Sequence, residues 1–200
     1  MTRTTLNPIA DPRLLPVEER IRLVKESDGL LVDLLANTTV HGDLPLSNLP
    51  RLTHLPPGLR ITGHLSLYRC TSLRHIPADL RVGRTLQASG CISLKALPSG
   101  TYVGADLDLS GCISLTEIPA GLQLEAGNLC ISGCTSLTYL PAGIYIDGDL
   151  FAIRCKSLVS LPEDLHVRGC IYLVDCDRLR EIPNSIKAGH IFLPKHLQGY

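Results

Sequence analysis

The chain has 200 residues, and its 19 Lys and Arg balance 19 Asp and Glu, so a formal net charge of zero leaves no global field to draw it to nucleic acid or a membrane surface. Aromatic residues make up only 4% of it, too few for a globular core built around large rings. No stretch approaches the roughly 20 apolar residues of a membrane span, and the N-terminal MTRTTLNPIADPRLL lacks the apolar run of a secretory signal. A soluble chain made in the cytoplasm is expected.

The segment from Met1 to Thr39 reads as a helical cap. Pro16 to Glu26 predicts a helix with Pro16 in its first turn, Glu18 and Glu19 near the positive end and Lys25 near the negative one. Val17, Ile21 and Val24 share one face of it. A second short helix is expected from Ser27 or Asp28 to Asn37, with Leu30, Leu31, Leu34 and Leu35 as its apolar set. Such a cap would cover the apolar cross-section of the first repeat.

From Val40 to Tyr200 the chain repeats. Pro56, Pro77, Pro98, Pro119, Pro141, Pro162 and Pro183 recur at a 21-residue spacing, broken once by a 22-residue spacing between Pro119 and Pro141. A period near twenty residues signals a solenoid of about seven coils, mainly β, in which each coil buries its apolar side only by stacking on its neighbours. Within each coil an alternating triplet, such as Leu107-Asp108-Leu109 or Leu129-Cys130-Ile131, predicts a short strand with its middle residue outward. A cysteine follows at a fixed offset: Cys70, Cys91, Cys112, Cys134, Cys155 and Cys176, with Leu49 holding the place in the first coil. After the proline a second triplet appears, as in Leu80-Arg81-Val82 and Ile144-Tyr145-Ile146, so each coil can carry two strands. A glycine precedes each first triplet (Gly42, Gly63, Gly83, Gly104, Gly127, Gly148, Gly169, Gly189), where a tight corner with positive φ is expected. The single longer spacing comes from an extra residue between Leu124 and Leu129, inside this corner.

The arrangement L-x-L-x-x-C-x-x-L followed by L-P-x-x-L resembles the leucine-rich-repeat family, most closely its short bacterial Leu-Pro type, over about four fifths of the chain. The resemblance implies a parallel β-solenoid used for binding proteins, a bacterial origin, and an effector delivered into a host cell without a cleaved signal. It also implies that each ladder cysteine points inward and bonds neighbouring backbone. The chain departs from the family in the glycine corner between the two triplets, which leaves a flatter two-sheeted solenoid open beside the horseshoe. Some effectors of this kind are ubiquitin ligases, but their catalytic cysteine lies in a separate C-terminal domain. Cys176 belongs to the ladder, and the stretch from Asp177 to Tyr200 is too short to hold such a domain.

Six of the eight cysteines thus follow the repeat, and reduced thiols are expected. Cys130, an outward strand residue, and Cys170, at a corner, break the ladder and lie too far apart for a disulfide. No C-x-x-C, paired-His, phosphate-loop or serine-elbow motif is present, so no metal, cofactor or catalytic site is expected.

The outward column of the first strand reads Pro45, Ser66, Gln87, Asp108, Cys130, Phe151, Tyr172, Phe192, and holds both phenylalanines of the chain. Beside it run Ile153 and Val174, so Phe151, Ile153, Tyr172 and Val174 are expected to form one exposed apolar patch, the anchor type that protein partners use. Its occupant is a partner, the C-terminal tail or a second copy of the chain.

Charge is segregated along the axis. Between Arg51 and Lys95 there are six Arg and one Lys against Asp79 alone, while from Ala96 to Ile153 there are Asp106, Asp108, Glu117, Glu125, Asp147 and Asp149 and no Lys or Arg. Asp106, Asp108 and Asp149 lie on or beside the aromatic column, which favours a basic, partly apolar peptide. Arg60 and Arg81 line the second strand without interleaved aromatics, so nucleic acid is not expected as a partner.

The expected function is therefore a non-enzymatic scaffold for protein–protein interaction, with Asp106, Asp108, Cys130, Asp149, Phe151, Ile153, Tyr172, Val174 and Phe192 as its partner-binding residues. Two alternatives remain at this point: an enzyme using Cys130 as nucleophile, and a self-assembling structural solenoid.

Overall fold

The computed structural model describes residues 11–124 and 126–198. Residues 1–10 of the segment read above for a secretory signal, and Glu125 in the corner with the extra residue, lie outside them.

The chain winds as a parallel β-solenoid of about seven coils behind one N-terminal helix. One coil shows how the sequence dictates it: Leu65, Leu67, Cys70, Leu73, Ile76, Leu80 and Val82 all turn inward and are buried. The residues between them face water or form turns, and stacking the same inward set one repeat later makes one continuous core. Each fully buried leucine contributes about 1.5–3 kcal/mol.

The first strands of the coils form one eight-stranded parallel sheet from Leu44–Pro45 to His190–Phe192. The second strands lie on another side, in a four-stranded sheet from Thr39–Val40 to Tyr102–Val103 and a three-stranded sheet from Gln123–Leu124 to His166–Val167. Of the two shapes the repeat left open, this is the two-sheeted one. Isolated parallel pairings of His54 with His75, Ala96 with Glu117 and Tyr139 with Ser160 add a third, weaker seam before each Leu-Pro step. Hydrogen bonds run in opposite senses on the two main sides. The Leu65 N–H donates forward to the Thr85 carbonyl at 3.0 Å, whereas the Gly83 N–H donates back to the Ile61 carbonyl at 2.8 Å.

Each of the first seven strands of the eight-stranded sheet is followed by a left-handed residue, and the sequence carries it in more than one way. Asn48, Arg69, Gly90, Gly111, Gly133, Arg154 and Asp175 have φ between 56° and 75°, each one position before the ladder. That turn drives the next side chain inward. The ladder thiols then donate to the carbonyl closing the first triplet of the preceding coil: Cys70 to Leu46 at 2.9 Å, Cys91 to Leu67 at 3.2 Å, Cys155 to Ile131 at 3.1 Å. All eight cysteines are free.

The corner glycines work differently from the expectation. Only Gly42 among them has positive φ. At Gly83, Gly104 and Gly169 a Cβ would run into the backbone or side chain of the coil below, the Thr62 carbonyl, the Gly83 carbonyl and the Asp149 carboxylate respectively. These glycines serve close approach between coils.

The helix spans Val17–Glu26, with Pro16 as its N-cap residue. The expected second helix does not form. Asp28 and Gly29 take φ of 54° and 91°, which ends the first helix, and Gly29 sits against Leu52 where no Cβ would fit. Only a 3-10 turn at Val32–Leu35 follows, leaving Leu30 and Leu31 exposed while Val32 and Leu35 are buried. Val24, Val32 and Leu35 nevertheless continue the core over the first coil, as a cap requires. Arg20 ties the two pieces together, donating to the Leu34 carbonyl at 2.8 Å and the Thr38 hydroxyl at 2.9 Å. No helix among the described residues is long and apolar enough to cross a membrane.

Candidate partner-binding face

Parallel register sets the outward column of the first sheet. Asp108 pairs with Cys130, Cys130 with Phe151, Phe151 with Tyr172 and Tyr172 with Phe192. Because the strands stack in register at about 4.8 Å, flat side chains in this column meet face to face. Phe151 and Tyr172 stack with ring centroids 4.7 Å apart and planes within 5°, and Tyr172 and Phe192 do the same at 4.6 Å and 5°. His190 meets Phe192 edge-on at 4.6 Å, closing the row. Ile153 and Val174 lie alongside, Ile153 half-buried and Val174 exposed.

Stacking determines what the row offers. Both faces of Tyr172 are covered by its neighbours, so its edge points outward, while the free face of Phe151 looks over the smaller Cys130 toward Asp108. The result is a notch floored by Cys130 with an aromatic wall on one side and a carboxylate on the other. Asp108 also accepts the Ser110 N–H at 2.9 Å, which fixes its orientation.

Asp106 and Asp149 take up a different role. They stand immediately before the first strand and turn along the axis, where each accepts the backbone N–H of the next coil. Asp106 Oδ1 receives the Asn128 N–H at 2.8 Å and the Asn128 side-chain amide at 3.0 Å. Asn128 Oδ1 receives the Asp149 N–H at 2.8 Å, and Asp149 Oδ1 the Cys170 N–H at 2.7 Å. Asp43 does the same for His64 at 2.8 Å. These side chains staple coil to coil, and their negative charge still reaches the face.

Cys130 feels it directly. Burial, then the charges of Asp108, Asp106 and Asp149, push its thiol up to about 11. A thiol so placed stays protonated at neutral pH, the reverse of what an activated nucleophile needs. Cys170 lies in the strand Cys170–Tyr172, not at a corner. Among the described residues no group of three or more His, Cys, Asp and Glu could hold a metal ion.

On the second side, laying the same register on the post-proline triplets brings Tyr102 beside Arg81 and Tyr145 between Gln123 and His166. No ring stands between Arg60 and Arg81, which are direct neighbours, but Tyr102 and Tyr145 follow them in the column. The repeat spacing is sufficient to find them, because it places Tyr102 and Tyr145 in the same column as the two arginines.

No protein-family model matches the chain, and the searches of curated proteins and of solved structures found no match to it.

Proposed function

We propose that the protein is a non-enzymatic scaffold that binds another protein or peptide through the first-sheet face. The stacked row of Phe151, Tyr172 and Phe192 carries this reading. Rings already ordered by their neighbours lose little conformational freedom when a partner covers them. Edge-outward rings suit apolar side chains laid across them, and the notch between Phe151 and Asp108 suits a partner's Lys or Arg, whose cation meets both a ring face and a carboxylate.

The raised Cys130 thiol argues against the nucleophile alternative. The leucine-rich-repeat name, a bacterial effector role and action inside a host cell rest on the Leu-Pro resemblance, and are part of the proposal on that ground alone.

Affinity capture beside a Phe151→Ala, Tyr172→Ala double variant tests it, followed by titration of the recovered partner. At least tenfold weaker binding by the double variant is expected, with Asp108→Asn weakening binding most at low salt. Equal recovery of the same proteins by wild type and double variant removes this face from consideration. Light scattering of the purified chain shows whether a second copy takes the partner's place.

A further inference from the structure

The second side of the solenoid carries a surface of opposite character. Its outward column reads Arg60, Arg81, Tyr102, Gln123, Tyr145 and His166, without a carboxylate. Arg60 and Arg81 are register partners on adjacent strands, and both are exposed. Like charges set directly opposite one another destabilise a sheet, so this pair weakens the fold it sits on.

No carboxylate among the described residues compensates it. Among the described residues Arg60, Arg81 and Arg84 form no ion pair, whereas toward the C-terminus Arg154 pairs with Asp175, Lys156 with Asp177 and Arg168 with Asp147. The one acid of the basic stretch, Asp79, has its carboxylate on the Gly58 N–H at 2.8 Å. The cationic row runs directly into an aromatic platform: the Arg81 guanidinium lies 5.8 Å from the centroid of the Tyr102 ring, which is 52% exposed.

Beside that ring a groove of about 230 Å³ opens between two coils, lined by Thr101, Tyr102, Gly121 and Gln123 among others. The hydroxyl of Thr101, one of the lining residues, is buried and has no hydrogen-bond partner among the described residues.

We infer that this side binds single-stranded nucleic acid, with phosphates along Arg60, Arg81 and Arg84 and a base on Tyr102 whose polar edge reaches the Gln123 amide in the groove. A cationic track combined with stacking rings is the common design for single strands. An acidic polypeptide would satisfy the guanidinium groups but would leave the ring and the groove without a use. The inference stands independently of the aromatic row on the other side.

Fluorescence anisotropy of the full chain with a labelled mixed-sequence 12-nucleotide single strand, as DNA and as RNA, tests it at 50 and 200 mM salt. Wild type should bind, more weakly at the higher salt. Arg60→Gln with Arg81→Gln should lower affinity at least tenfold and reduce the salt slope by about 1.4, at roughly 0.7 per phosphate contact. Tyr102→Ala should cost about 5- to 150-fold, since stacking of one base is worth that much, while Tyr102→Phe keeps affinity. The Phe151→Ala, Tyr172→Ala variant should bind as wild type, and circular dichroism should show every variant folded. No binding at 50 mM salt overturns the inference. So does polyglutamate competing as well as the oligonucleotide with no effect of Tyr102→Ala, which would make the face a site for acidic polypeptide.

Discussion

The Cys112 thiol donates to the Ala88 carbonyl of the preceding coil across 3.3 Å, and both groups are buried. Cys112→Ala removes that donor and leaves a small void, so it should destabilise the chain by about 1–2 kcal/mol. Urea unfolding followed by circular dichroism measures it. An unchanged midpoint would mean that the thiol merely fills space.

Alkaline pH should weaken the fold through the same ladder. Burial raises the thiols of Cys70, Cys91, Cys112 and Cys134, with Cys112 pushed up to about 12 from 9.0. The unfolded chain loses these protons from about pH 9 while the folded chain keeps them, so their contribution is complete below pH 9 and is lost as pH rises toward the folded values. Urea midpoints should therefore fall as pH is raised above about 9, and Cys112→Ala should shallow that fall.

Two glycines with opposite reasons for being glycine should respond in opposite ways. Gly83→Ala drives a methyl into the Thr62 carbonyl and should destabilise by about 1–3 kcal/mol. Gly111 has φ 71° but a Cβ there would make only ordinary van der Waals contact with the Gly90 backbone, and Asn48 holds the equivalent place in an earlier coil with φ 57°. Gly111→Asn should therefore stay within about 0.5 kcal/mol of the original. A melting comparison of the two variants decides whether close approach or backbone handedness governs each position.

Asp149 separates a structural carboxylate from a binding one. Asp149→Ala leaves the Cys170 N–H without its acceptor and should destabilise by about 1–2 kcal/mol, whereas Asp149→Asn keeps the oxygen and should restore most of it, as Asn128 does one coil earlier. Loss of stability in the Asn variant equal to that in the Ala variant would show that charge, not the hydrogen bond, is what the site requires.

Much of this was legible from the period alone. A fixed repeat assigns every residue to a column, and the inward columns, the thiol ladder and the adjacency of Phe151 with Tyr172 follow without further information. Orientation within a column does not follow. Asp106 and Asp149 looked like surface acids because nothing in their spacing says that the side chain turns along the axis to a backbone N–H. The corner glycines looked like turn residues because the closeness of one coil to the next is a property of the stack and not of the repeat. The second helix failed for a tertiary reason: Gly29 is pressed against Leu52, and the left-handed pair Asp28–Gly29 ends the helix before its apolar pattern can continue.

Apart from the last strand, His190–Phe192, the coils contribute one strand to the aromatic side and one to the basic side. Duplication or loss of a single repeat consequently adds or removes a rung from both sides at once. The lengths of the two surfaces are geared together, and only single-residue exchange in an outward column can alter one while leaving the other untouched.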